Sequence, residues 1–190
     1  MRLIIVDGLD AVGKDTHAKL IYDRYKKIDD NVIMRSHPSA DNYFGRKAKK
    51  SLLEKGKTSK LLASIFYMFD VLRSIRKYYD ADLEGTLIMV RYLMGTAYLP
   101  KKLARVAYKF FENFVPTSEY MFFLDASPEE LHDRVEQRDF KEIFETLDEL
   151  NKVRNKALML TANWYVIDTN KSIDDTYKRI EVILDKLDNK

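Results

Sequence analysis

The segment Gly8-Leu9-Asp10-Ala11-Val12-Gly13-Lys14 constrains this chain more than any other. It follows Leu3-Ile4-Ile5-Val6, a β-branched run that reads as a strand buried on both faces, and it precedes a helical pattern from Lys14 to about Ile28. Glycines at both ends of a four-residue spacer let successive backbone N–H groups turn toward a phosphate. The helix N-terminus adds partial positive charge, and Lys14 is placed to neutralise β- and γ-phosphates. A glycine turn with a solvated lysine is the plainer reading, but this pattern between a buried strand and a helix rarely arises without phosphate to bind. The segment Gly8, Leu9, Asp10, Ala11, Val12, Gly13, Lys14, Asp15 and Thr16 is therefore predicted to hold a nucleoside triphosphate.

One position departs from the pattern. The residue after the loop lysine is normally Ser or Thr, whose hydroxyl ligates Mg²⁺, and here it is Asp15, followed by Thr16. Two unit charges ~4 Å apart repel by about 4 kcal/mol at an effective dielectric of ~20, so a bare carboxylate beside phosphate is costly. A metal between them reverses the sign, which makes Asp15 the candidate Mg²⁺ ligand.

Downstream, strands are expected at 32–35, 86–90, 120–125 and 164–168, the second strand of the chain being ended by Ser36-His37-Pro38. Helices are expected from Gly45 to Lys55, Leu61 to Tyr79, 128–138, 147–160 and 173–187. Ser127-Pro128-Glu129-Glu130 and Ser172-Ile173-Asp174-Asp175 supply N-caps and first-turn acids for two of them. Leu61, Ile65, Met68, Leu72 and Ile75 form one stripe, with Leu62, Phe66 and Phe69 beside it, a face wide enough for burial or a dimer contact. Alternating strands and helices predict right-handed βαβ units. The expected fold is α/β, a three-layer P-loop NTPase fold with a five-stranded parallel sheet flanked by helices on both faces, in one domain spanning 1–190.

Composition narrows the function. The net charge is +3 and Lys and Arg are dispersed, so charge alone does not predict nucleic-acid binding. The basic stretches Arg46 to Lys60 and Arg73 to Tyr79 read as solvated helix faces. With no cysteine and 3 scattered histidines, thiolate chemistry, disulfides and zinc motifs are not expected. The apolar N-terminal run ends too early for a signal-peptide core, and no run approaches a membrane span, so a cytoplasmic protein without membrane partners is expected.

With Gly8-x-Asp10-x-x-Gly13-Lys14-x-Thr16 as its anchor, the chain resembles the thymidylate kinase family of nucleoside-monophosphate kinases over nearly its whole length. Gly45 to Leu53 resembles the family's run after the second strand, with Lys49 where arginine is usual. Val90-Arg91-Tyr92 with Ala97-Tyr98 resembles its Asp-Arg-Tyr motif and the following Ala-Tyr. Tyr120 to Leu131 resembles its fourth strand and the Asp-x-x-Pro-Glu that continues it. Arg134, Arg138 and Phe144-Glu145 look like an arginine-bearing lid, around 134–146.

The resemblance implies transfer of the γ-phosphate of Mg·ATP to a nucleoside monophosphate, with dTMP the favoured acceptor, in a homodimer. Lys14 would hold the β- and γ-phosphates and Thr16 the α-phosphate. Asp10 would accept from the acceptor's sugar hydroxyl, Arg91 would grip its phosphate with Lys49 assisting, and Phe66, Phe69 and Tyr98 would line its base and sugar. Core packing for the two phenylalanines, and an ordinary amphipathic position for Tyr98, are the alternatives. Some relatives carry a catalytic arginine in the loop where this chain has Ala11, so Arg138, and after it Arg134, would supply that charge. A solvated helix face is the alternative for both.

Two further departures fall on the acceptor side: His37 stands where the family has glutamate, and Val90 where it has an aspartate. Losing that acid while gaining Asp15 leaves the formal charge of the site unchanged. The alternatives are a kinase for another nucleotide or a nucleoside, and a nucleotide-binding relative impaired in transfer.

Overall fold

The structure is a computed structural model that describes residues 1–29, 31–54, 57–99, 101–136 and 147–190. Its strands are β1 (Arg2–Gly8), β2 (Val32–Ser36), β3 (Thr86–Val90), β4 (Tyr120–Asp125) and β5 (Tyr165–Asp168). Its helices are α1 (Lys14–Lys26), α2 (Tyr43–Leu53), α3 (Lys57–Tyr78), α4 (Lys101–Phe114), α5 (Pro128–Glu136), α6 (Leu147–Leu158) and α7 (Ile173–Asp188), with a 3₁₀ turn over Met94–Tyr98.

The five strands form one parallel sheet in the order β2-β3-β1-β4-β5. Leu3, Ile4, Ile5 and Val6 are all buried, as are Leu87 to Val90 and Phe122 to Leu124, so successive side chains pointing to opposite faces are covered on both. That is the arrangement the apolar runs predicted. The order places β1 at the centre, between the half that leaves toward β2 and the half that returns to β5. The carboxyl ends of β1, β3 and β4 therefore meet at the topological switch point, where open α/β sheets bind ligands.

The helices differ from expectation in instructive ways. Helix α2 begins at Tyr43 rather than Gly45, because Asn42 is its N-cap and its side chain accepts from Gly45 N at 3.1 Å. In α3 only the later part of the apolar stripe packs on the core: Leu72 and Ile75 lie against it, Leu61, Leu62, Ile65 and Phe69 are exposed, and Ala63, Asp70, Val71 and Ser74 are buried. The reason is polar. Asp70 accepts from Ser39 N at 2.6 Å, Ser39 Oγ at 2.7 Å and Asn42 Nδ2 at 2.6 Å, and Ser74 meets His37 Nε2 at 2.9 Å, which turns that face inward. Helix α4 has no counterpart among the predicted elements. It buries Ala104 and Tyr108, whose hydroxyl receives Trp164 Nε1 at 2.7 Å, and leaves Leu103, Val106, Phe110 and Phe114 exposed.

Candidate active site

The loop after β1 has the backbone its glycines require. A Cβ on Gly8, at φ 146°, would stand 2.3 Å from Leu124 O of the adjoining strand, so only glycine lets β1 and β4 stay paired there. Gly13 lies in the left-handed region at φ 86°, and Ala11 shares that region at φ 66°. Gly13 gives α1 no side-chain cap, which leaves the first-turn N–H groups for an anion.

Lys14 is 3% exposed; its Nζ donates to Leu9 O and lies 3.5 Å from Asp10 Oδ1. Burial pulls the Lys14 ammonium below its ordinary pKa, with Asp10 opposing.

Around Lys14 the fold gathers residues from five segments. Tyr98, at the end of the 3₁₀ turn, donates to Asp10 Oδ2 at 2.9 Å. Arg91, just past β3, holds Nε 3.9 Å from Asp10 Oδ1 and donates from Nη1 to Asp15 Oδ2 at 2.9 Å and Oδ1 at 3.1 Å. Ser36, at the end of β2, closes a triangle: it accepts from Arg91 Nη1 at 3.0 Å and donates to Asp15 Oδ1 at 2.8 Å. Desolvation raises the Asp15 carboxyl, but the Arg91 charge and the bonds from Ser36 and Arg91 outweigh it and hold it below the ordinary value.

The backbone of Arg91 is fixed separately. It sits at φ 56°, its N–H donates to Val6 O at 3.2 Å, and its carbonyl accepts from Tyr67 OH. The next three residues are held by Asp7, whose Oδ2 accepts from Tyr92 N at 2.8 Å and from Leu93 N and Met94 N at 2.9 Å each. Its Oδ1 accepts from Gly8 N at 3.0 Å. Burial pushes the Asp7 carboxyl up, against the pull of those N–H groups and of Lys14. Thus β1 ends in a buried carboxylate that ties the phosphate loop to the turn carrying Arg91. Val90 is wholly buried and belongs to the core, where an acid would lack solvent.

Across the loop lies a cleft of about 440 Å³ lined by Val12, Thr16, His17, Arg134, Thr169 and Thr176 among others. Arg134 is anchored over it, donating to Glu130 Oε1 at 2.7 Å, Thr169 O at 2.7 Å and Ala11 O at 3.4 Å. His17 Nε2 and Thr176 Oγ1 are buried in its lining without a protein partner. Arg154 of α6 grips Asp125 with bonds of 2.8 and 2.7 Å, fixing the chain beyond the lid onto the end of β4.

A family model described as thymidylate kinase matches residues 6–180. The chain belongs to the thymidylate kinase family. A probable thymidylate kinase from Methanococcus aeolicus is 27% identical over 198 residues, covering 97% of each chain. Another from Sulfurisphaera tokodaii is 28% identical, covering 96% of this chain and 95% of the relative. The fold agrees with the solved thymidylate kinase from Candida albicans, with TM-score 0.72 at 18% identity over 99% of this chain and 92% of that one. Membership carries the reaction class, an ATP-dependent phosphotransfer.

Set against the family reading, Asp10, Lys14, Asp15, Arg91 and Tyr98 meet in one cluster joined by hydrogen bonds and ion pairs. Arg134 stands over the loop, on the other side; it makes the i,i+4 pair with Glu130 that the alternative reading expects, and it also donates to Ala11 O and Thr169 O. Phe66 and Phe69 join an aromatic group between α2 and α3, with ring centroids 6.3 Å from Tyr43 and 5.4 Å from Phe44 respectively. Lys49 is exposed on α2, outside the cluster. Arg138 and most of the lid, 137–146, lie outside the described residues. His37 is a buried structural residue, bonded to Val90 O and Ser74 Oγ.

Residues missed in the sequence were Asp7, Ser36, Tyr67 and Arg73. Asp7 and Ser36 stand at strand ends and Tyr67 and Arg73 on the same helical segment as Phe69, which was visible, but their partners were not. Arg73 Nη1 is buried without a protein partner, a free donor on α3.

Among the described residues no three acidic or histidine side chains converge to cage a metal. Asp15, exposed and next to Lys14, instead fits the Mg²⁺ that keeps several waters and binds through one carboxylate plus phosphate oxygens.

Proposed function

We propose that this protein transfers the γ-phosphate of ATP to a nucleoside monophosphate, with dTMP the acceptor. The observation that carries the reading is the convergence of Lys14, Asp10, Arg91 and Tyr98 beside the phosphate loop. Loop N–H groups, Lys14 and Thr16 bind the triphosphate, and the cleft lined by Thr16, His17 and Thr176 takes the rest of the donor.

On the other side, Arg91 holds the acceptor phosphate and Asp10, oriented by Tyr98, accepts from the sugar hydroxyl. Phe69 offers the base an exposed ring, Phe66 supports the aromatic group behind it, and Arg73 offers the base a guanidinium. An acceptor phosphate oxygen attacks the γ-phosphorus as the bond to the β-bridging oxygen breaks, giving ADP and the diphosphate. Such transfer needs positioning and charge neutralisation. Arg134, with Arg138 of the lid, adds positive charge around the migrating group, and Lys49 assists at the acceptor. Asp15 would help to hold Mg²⁺, which when bound would supply charge neutralisation for the donor phosphates.

The exposed apolar residues of α3 support a homodimer, tested by sedimentation of Ile65→Glu against the parent chain. No helix among the described residues is long and apolar enough to cross a membrane, and we place the protein in the cytoplasm. A coupled assay over the common monophosphates tests the activity. ADP formation fastest with dTMP is expected. Absence of ADP formation with every acceptor, using folded protein and Mg·ATP, overturns the reading.

A further inference from the structure

We infer that Asp15 is an internal stand-in for the acceptor phosphate: its carboxylate occupies Arg91 until donor and divalent cation draw it away, so that loading the donor opens the acceptor site. The inference rests on the proposed function for the role of Arg91.

The same donor atoms cannot serve two anions. Arg91 Nη1 already gives its hydrogen bonds to both oxygens of Asp15 and to Ser36 Oγ, and Nε faces Asp10 at 3.9 Å. Both carboxylate oxygens of Asp15 lie on Nη1, so an arriving acceptor phosphate must compete with Asp15 for that nitrogen. The hydroxyl usual at this loop position is neutral and would exert far weaker competition. The gate is therefore a property of this sequence.

Two features make the exchange cheap and directed. The Asp15 and Arg91 side chains are 56% and 29% exposed, so water solvates either partner when the pair opens. The backbone under Arg91 does not need to move, because Asp7 holds the three N–H groups that follow and Tyr67 holds the Arg91 carbonyl. Only the side chain changes partner.

Direction comes from charge. Without donor, Asp15 offsets the repulsion that Arg91 exerts on the Lys14 ammonium. With donor phosphates on the loop, Asp15 is repelled by them unless a divalent cation lies between, and its carboxylate then belongs to the donor side. Arg91 is left for the acceptor. Linkage requires the converse as well: acceptor must raise donor affinity by the factor by which donor raises acceptor affinity.

The test is dTMP binding by calorimetry to parent, Asp15→Asn, Asp15→Ser and Asp15→Asn/Arg91→Ala proteins, first in metal-free buffer and then with saturating Mg²⁺ and a non-hydrolysable ATP analogue. Metal-free binding is expected to tighten about 5- to 10-fold in both single variants, within the usual range of coupling factors, and the gain is expected to vanish with Arg91→Ala. Donor analogue should tighten dTMP binding to the parent by a similar factor and to the Asp15 variants by much less. Equal metal-free affinity of parent and both single variants overturns the gate.

If no nucleoside monophosphate binds any of the proteins, the acceptor reading fails, and inorganic phosphate becomes the probe. A gain on Asp15→Asn that Arg91→Ala abolishes sustains the gate. No gain overturns it.

Discussion

Asp7 and Asp15 stand either side of the phosphate loop and serve opposite ends. Asp7 is buried and accepts from four backbone N–H groups, those of Gly8, Tyr92, Leu93 and Met94. Asp15 is exposed and bonded only through side chains, to Arg91 and Ser36. Backbone donors are delivered by the fold and have nowhere else to go, whereas side-chain donors can turn to a ligand. A binding site needs both kinds: one carboxylate sets where Arg91 stands, and the other sets what Arg91 holds.

The contrast breaks most visibly at Asp7. Asp7→Ala leaves several buried N–H groups unpaired at about 1–3 kcal/mol each, so a loss of roughly 3 kcal/mol or more is expected in urea unfolding. A loss below about 1 kcal/mol would mean that the 92–94 turn needs no clamp.

Arg91→Ala probes the exchangeable half. It is expected to lower kcat/KM for the acceptor roughly 10- to 100-fold, the range for one charged hydrogen-bonding group, with little change in the melting temperature. Tyr98→Phe removes a single bond to Asp10 and is expected to raise the acceptor KM about 5-fold while ATP affinity stays level.

Asp15→Asn should change stability by no more than ~1 kcal/mol, since exposed ion pairs contribute about that at most and salt screens them. Thermal melts at low and high salt would check it.

The smallest effect belongs to Asp41, another exposed carboxylate, away from the cluster. Its hydrogen bonds from Arg35, at 2.9 and 3.0 Å, hold it well below the ordinary carboxylate range. A depressed folded pKa stabilises above the unfolded value near ~4 and is lost as pH falls through the folded value. Asp41→Asn should therefore flatten the stability profile only below about pH 4, as read by unfolding midpoints across that range.

Local patterns made much of the molecule legible. Apolar runs located β1, β3 and β4, because strands buried on both faces must be apolar almost throughout, while the edge strands β2 and β5, partly exposed, were marked by shorter apolar runs. Gly8 and Gly13 located the loop, because the backbone there adopts conformations that other residues resist. Helix α4 was legible and unread: its apolar and basic residues recur with helical period between Lys101 and Phe114. The buried face of α3 was not legible, because Asp70 and Ser74 face inward only by virtue of Ser39, Asn42 and His37, which are 28 to 37 residues away in sequence.

By itself the sequence determined the phosphate loop, the parallel sheet and the residue types able to hold two phosphorylated ligands, since each is written in neighbours along the chain. The tertiary structure alone decided partnership. That Asp15, placed where a metal-binding hydroxyl is usual, should find Arg91 across 76 residues depends on β1, β2 and β3 ending side by side. Ion pairs form between groups that the fold brings within a few ångströms, and nothing in the order of residues along the chain encodes that distance directly.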